Sequence, residues 1–195
     1  MVQLLLDRGL GAAGIALDPA PVKGVHPGLT ASRASLSVFT SWRGWRRVQT
    51  MSEKSFDWGF VNALPPSERR AAYREQLVQA PGRMFFQAAL GRGNSVNFAN
   101  PSRPPLLLIV GSQDRTVEPS MVRRNFRLAS RSPSPTEFHE FPGRCHFLIG
   151  QPGWEEVADY TIAWCDRMEA AHALGAQPQA AGTSDGAELG TQARR

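Results

Sequence analysis

Two residues of this chain carry side chains suited to acid–base chemistry, each on a loop after a short strand-like run. Asp114 comes three residues after Pro104-Pro105-Leu106-Leu107-Leu108-Ile109-Val110-Gly111, an apolar run closed by glycine. His146 lies 32 positions further on, in Phe141-Pro142-Gly143-Arg144-Cys145-His146-Phe147. A carboxylate that fixes the tautomer of an imidazole and stabilises its protonated form makes up two-thirds of a nucleophile–histidine–acid triad. The serine of such triads commonly sits in G-x-S-x-G on a sharp strand-to-helix turn. The expectation is a chain free of G-x-S-x-G throughout, and so without the nucleophile.

The neighbouring candidates have competing roles. Asp114 is also placed to cap the turn or helix that follows it. Asp18, at the end of another apolar run, is an alternative acid or simply a turn residue beside Pro19. Cys145 adjoins His146, but neighbours on a loop usually point apart, so neither a nucleophilic nor a metal-binding role is expected of it. Cys165 is expected to be a small core residue. His139 falls within a strand and is expected to face solvent, while His26 and His172 have no partner pattern and are placed on the surface. No metal and no organic cofactor is expected.

The elements that must position these residues follow from hydrophobic period and punctuation. Residues 2–9 are helical in character, stopping at Gly9 or Gly11, and 13–18 form a short buried strand ending in Pro19-Ala20-Pro21. From Val25 to about Asn100 the chain turns rich in Trp, Arg and Ser. Helices are expected there at 32–49, at 52–63, from an opening at Pro65-Pro66-Ser67-Glu68 to about Val78, and at 83–91. Strand and helix then alternate: strand 105–110, helix 119–130, strand 136–141, helix 152–170. Candidate core positions of the last helix are Trp154, Val157, Ala158, Ile162, Trp164 and Cys165. From residue 171 to 195 the chain has no hydrophobic period, and a disordered tail is expected.

Strand, helical insertion, then strand–helix–strand–helix is an α/β pattern. Parallel strands joined by right-handed crossovers put their C-terminal ends on one sheet edge, where open α/β sheets bind ligands. Asp18, Asp114 and His146 all fall at or just beyond such ends.

Totals narrow the function classes. The chain has 195 residues, 42% of them hydrophobic and 20% charged, with a net charge of +5. One domain with a modest core is expected. Its two cysteines fit neither a disulfide framework nor a zinc spacing, which suits a reducing compartment. The arginines are dispersed apart from Arg43, Arg46 and Arg47, and no nucleic-acid-reading motif accompanies them, so nucleic acid is not an expected partner. No apolar run approaches the ~18 residues of a membrane span. The apolar start at Met1 lacks a basic leader and a cleavage site. The expectation is a cytoplasmic protein with no membrane partner.

Taken together, Pro105 to Val117 and Phe141 to Phe147 resemble the acid loop after the seventh strand and the histidine loop after the eighth in the α/β-hydrolase superfamily, the esterase, lipase and dehalogenase-like group. Ala13 to Pro21 resembles the sixth strand and its exit, and residues 25–100 the helical cap. The resemblance covers roughly residues 1–170 and implies a truncated α/β-hydrolase fold of about three parallel strands flanked by helices. Residues 1–24 and 101–170 would form the partial core. It also implies Asp114 as triad acid and His146 as triad base, acting on ester-like small molecules. The serine, the first five strands and the oxyanion-hole donors would then lie upstream of Met1, leaving this chain inactive by itself. A non-catalytic homologue that binds a ligand or a partner is the alternative. Trp42, Trp45, Trp58, Phe56, Phe60, Phe85 and Phe86 would line a pocket under the cap or simply pack it. The strand at 14–18 would keep an open, largely apolar edge, favouring poor solubility, self-association or a partner that covers it.

Overall fold

Alternation in the run from Leu106 to Gly111 determines the layering of the molecule. A computed structural model describes residues 1–175. In it this run is strand β4 (Leu106–Gly111), buried along its whole length. Successive side chains of a strand point to opposite faces. Leu106, Leu108 and Val110 therefore pack on one side with Leu6, Ala16, Val117, Val122 and Ala129. Leu107 and Ile109 pack on the other with Phe141, Leu148, Val157 and Trp164.

Strand β4 is central because both its neighbours are parallel to it. Strand β1 (Gly14–Leu17) pairs along one edge, from Gly14 opposite Leu106 to Leu17 opposite Ile109. Strand β5 (Thr136–Phe141) pairs along the other, from Thr136 opposite Leu106 to Phe141 opposite Gly111. The order is β1-β4-β5. Helix α1 (Val2–Asp7) precedes β1, α6 (Pro119–Ala129) links β4 to β5, and α7 (Trp154–Gly175) closes the described chain. α1 and α6 cover the Leu108 face and α7 the Ile109 face. The core is a sheet of three parallel strands with helices on both faces.

Between β1 and β4 lie α2 (Leu29–Thr40), a 3-10 turn (Gly44–Arg46), β2 (Val48–Gln49), α3 (Glu53–Gly59), α4 (Pro66–Gln76), β3 (Ala80–Pro81) and α5 (Gly82–Ala89). The helix expected at 32–49 is thus divided. It ends at Thr40, Ser41 is extended, and Arg43 adopts left-handed backbone with φ 52°. Val48 and Gln49 then pair antiparallel with Pro81 and Ala80. Gly44 and Gly82 meet backbone to backbone: a side chain at either would collide with main-chain atoms. This tertiary approach outweighs the helical period that runs through the sequence there. The helix expected at 52–63 stops at Gly59, and the next begins at Pro66, within the expected opening, with proline in the first turn where its missing N–H costs nothing.

The buried face of α7 is narrower than its composition suggests. Val157 and Trp164 are buried, with Tyr160 and Met168 partly so, an i, i+3, i+7, i+11 stripe. Trp154, Ile162 and Cys165 lie outside it and are exposed, so Cys165 is not a core residue. Residues 171–175 continue this helix instead of opening a disordered tail, and 176–195 lie outside the described residues.

One carboxylate joins the helical segment to the core. Helix α2 starts after Gly28, which has no side chain to satisfy the first free N–H groups. Glu118, 88 residues away, accepts from the Thr30 N–H at 2.6 Å, the Thr30 hydroxyl at 2.5 Å and the Ala31 N–H at 2.9 Å. Burial works to raise its pKa, but these bonds and one from Ser120 outweigh it and hold the carboxyl below its ordinary value of 4.5. A depressed carboxyl contributes stability above that value and loses it as pH falls through the lower, folded one. Glu118→Ala is expected to cost about 1 kcal/mol in urea unfolding at neutral pH. The deficit should shrink on acidification below the ordinary carboxyl range.

Candidate functional site

The C-terminal ends of the three parallel strands bring Asp18, Asp114 and His146 together, with one donor atom of each within 4.8 Å of the others. The contact between the loops after β4 and β5 explains why they converge. The Ser112 N–H donates to the Phe141 carbonyl at 2.9 Å, and the Gln113 N–H to the Arg144 carbonyl at 2.8 Å. In return the Gly143 N–H donates to the Ser112 hydroxyl at 2.9 Å. Gly111 lies where the two loops touch. A Cβ there would stand 2.7 Å from the Arg144 carbonyl carbon and 2.9 Å from the Cys145 oxygen, both backbone atoms.

Asp114 is buried at 3% exposure, and both its oxygens are engaged. Oδ1 accepts from the Thr116 and Val117 N–H groups, each at 2.7 Å, closing the turn into α6. Oδ2 lies 2.7 Å from Nδ1 of His146. The capping role and the histidine contact, alternatives in the sequence, are both present. With the proton on Nδ1 donated to Asp114, Nε2 carries the lone pair and can accept a proton.

Asp18 ends β1 in left-handed backbone, φ 41°. Its N–H continues the β1–β4 ladder to the Ile109 carbonyl at 2.9 Å, and its Oδ1 accepts from the Gly111 N–H at 3.1 Å. Burial, then the charge of Asp114, raise its pKa from 3.8 to about 9 against the opposing bond from Gly111. The shift favours its neutral form at neutral pH, while Asp114 is the carboxyl that lies against the imidazole. The three groups have the donor types of a cation site. Asp114 already accepts from two backbone N–H groups and lies against His146 Nδ1, and Asp18 Oδ1 accepts from the Gly111 N–H.

The histidine loop is held by side chains that sequence alone gave no reason to select. Arg144, 7% exposed, bonds the Gly153 carbonyl at 2.5 Å and Glu156 at 2.9 Å. Gln151 accepts from the Cys145 N–H at 3.1 Å and contacts its Sγ at 3.4 Å. Cys145 is fully buried, and burial pushes its thiol upward, so it stays an unreactive neighbour.

The stretch after α3 lies against this edge. The Phe147 N–H donates to the Phe60 carbonyl at 3.1 Å, Asn62 donates to the Gln113 carbonyl at 3.0 Å, and the Thr116 hydroxyl donates to the Gly59 carbonyl at 2.9 Å. The Phe60 ring meets the imidazole edge-on at 4.5 Å. Of the seven aromatic residues considered from sequence, Phe60 is the one whose ring meets His146. Phe56 is buried against Phe60 and Tyr73. Trp58 lies under the guanidinium groups of Arg33 and Arg115, at 4.2 and 5.4 Å. Phe86 packs against Phe39 and Trp45, Phe85 is half-buried, and Trp42 is exposed. His139 does not face open solvent, because its ring stacks on Tyr160 at 4.0 Å.

The expectation of a chain free of G-x-S-x-G needs correcting: Gly182-Thr183-Ser184-Asp185-Gly186 has that form. It follows the histidine in sequence and lies outside the described residues.

No protein-family model matches the chain, and no curated protein matches it in sequence. Solved structures do resemble it. A soluble variant of the monoglyceride lipase of Saccharomyces cerevisiae, in complex with a substrate analogue, aligns at TM-score 0.54 and 15% identity, over 86% of this chain and 58% of the lipase. A bacterial membrane phospholipase A aligns at TM-score 0.53 and 17% identity, over 86% and 54%. The chain therefore spans little more than half the length of these structures. What they share with it is the α/β-hydrolase fold. Among the described residues, no helix is long and apolar enough to cross a membrane.

Two expectations follow for the site. Gly111→Ala should cost about 1–3 kcal/mol in unfolding experiments, the range for forcing atoms into packed surroundings. It should also shift the His146 ring resonances, because the collision is with the histidine loop itself. Asp18 holds a proton in the folded state that the unfolded chain releases above 3.8. Its contribution to stability is complete below that value and is lost as pH rises to about 9. Asp18→Asn should therefore flatten the decline of the urea midpoint with rising pH, and an unchanged slope would dismiss the neutral carboxyl.

Proposed function

We propose that this chain supplies the acid–histidine half of a hydrolytic site for ester-like small molecules, with Asp114 as the acid and His146 as the base. The observation that carries the proposal is the 2.7 Å contact between Asp114 Oδ2 and His146 Nδ1 at the C-terminal edge of a parallel sheet. The lipase and phospholipase whose fold it shares favour an acyl substrate.

In this scheme His146 Nε2 takes the proton of a serine hydroxyl as that oxygen attacks the ester carbonyl, then returns it to the departing alcohol. Water next enters the same way and releases the acid. Asp114 holds the tautomer and stabilises imidazolium throughout. Residues 25–100 act as a helical cap whose Phe60 shields the imidazole from one side. The serine and the oxyanion-hole donors come from polypeptide outside these 195 residues, beyond the outer edge of β1, which pairs with no strand among the described residues. Until that edge is covered it favours self-association.

The chain alone is expected to hydrolyse p-nitrophenyl esters no faster than its His146→Ala variant. The coding DNA upstream of the Met1 codon is expected to encode a G-x-S-x-G in frame. A polypeptide extended to include it should turn over such esters and lose about 10⁴-fold or more of kcat in His146→Ala and about 10⁴-fold in Asp114→Asn. Turnover by the chain alone that disappears in Ser184→Ala would overturn the proposal. An upstream sequence without a nucleophile would instead favour a non-catalytic homologue that binds a ligand or partner.

A further inference from the structure

The helical segment carries an outward surface that neither core packing nor the candidate site uses. Leu36 and Phe39 at the end of α2, Trp42 and Trp45 around the 3-10 turn, Val48 of β2 and Met84 of α5 are 40–79% exposed. They belong to one compact unit. Phe86 of α5 packs edge-on against Phe39 at 5.0 Å and Trp45 at 5.9 Å. The Gly82 N–H donates to the Arg47 carbonyl at 2.9 Å, and Gly82 lies so close to the Gly44 backbone that no side chain fits at residue 82.

The charge of this unit has one sign. Residues 19–52, which include α2, the turn and β2, contain no aspartate or glutamate, and neither do residues 76–113, which include β3 and α5. The same stretches supply Arg43, Arg46 and Arg47, and Arg83 and Arg92, with Arg43 lying 5.9 Å over the Trp42 ring. Exposed tryptophans beside aliphatic side chains and arginines, without intervening acids, suit the boundary between lipid headgroups and acyl chains. There the indole stays partly wet, the aliphatic groups leave water, and the guanidinium groups meet anionic lipid. Stacking on nucleic-acid bases would use the tryptophans and arginines but give no role to Leu36, Val48 and Met84.

We propose that this aromatic–basic surface, centred on Trp42 and Arg43–Arg47, is a docking site for an anionic membrane surface. No spanning helix is required, because the contact is interfacial. The proposal stands apart from the hydrolase assignment and survives its failure.

The test is co-sedimentation of the full 195-residue chain with vesicles of phosphatidylcholine alone and of phosphatidylcholine mixed with phosphatidylglycerol. Binding is expected to the mixed vesicles only, to weaken with salt, and to be accompanied by a blue shift of tryptophan emission. Each arginine near such a surface is worth roughly fivefold in partitioning, so Arg46→Gln with Arg47→Gln should weaken binding roughly 25-fold. Trp42→Ser, at a position 79% exposed, should leave the circular dichroism spectrum unchanged while reducing both binding and blue shift. Four outcomes would overturn the proposal: no binding to anionic vesicles, equal binding by the variants, preferential retention of single-stranded nucleic acid, or self-association through this surface that abolishes vesicle binding. The His146→Ala variant should bind vesicles like the wild type, which keeps this question separate from catalysis.

Discussion

The arrangement at the sheet edge depends on one steric constraint: residue 111 has no side chain. The backbone after β4 can therefore lie against the backbone after β5, with the Arg144 carbonyl where a Cβ would otherwise be. Hydrogen bonds from Ser112, Gln113 and Gly143 close that contact. Asp114 and His146 follow from it, each placed by a loop whose path the other loop fixes. The Gly111 N–H turns the opposite way and meets Asp18 at the end of β1. One glycine thus coordinates the exits of all three parallel strands.

The electrostatics of the edge follow from how closely these strands end. Two carboxyls and an imidazole share one small volume, and two buried carboxylates so near each other cannot both keep a full charge cheaply. Burial and the charge of Asp114 raise the pKa of Asp18 and so favour its neutral form, while Asp114 accepts from two backbone N–H groups and lies against the imidazole. Asp18 adopts left-handed backbone to reach its place, a conformation uncommon for residues other than glycine and concentrated at sites where surrounding structure enforces it.

Two of the ties between the helical segment and the core bear on the site and on α2. Glu118 caps α2 from the start of α6, and the stretch from Gly59 to Asn62 is tied to the loops after β4 and β5 by backbone and side-chain hydrogen bonds. The second attachment sets Phe60 against His146. The far side of the segment, with its exposed tryptophans and arginines, takes no part in either attachment.

The sequence by itself determined the sheet and its helices. Leu106 to Val110 is an uninterrupted apolar run, which suits a strand buried on both faces, and the run from Thr136 to Phe141 and the punctuation around Pro119 were equally readable. Asp114 and His146 were also legible as candidates, since each follows a strand in a distinctive string of small and special residues. Other features needed the tertiary structure. The break at Arg43 follows from a close meeting with Gly82, nearly forty residues away, which no local period records. The buried stripe of α7 was set by which side of the sheet the helix lay on, leaving Ile162 and Cys165 outside. The capping of α2 by Glu118 and the neutral state of Asp18 arise from groups distant in sequence and adjacent in space. Local propensity and hydrophobic period act over a few residues, so they reveal which elements form. Desolvation, close packing and hydrogen bonding between loops act across the fold, and they decided which side chains meet at its edge and in what state of charge.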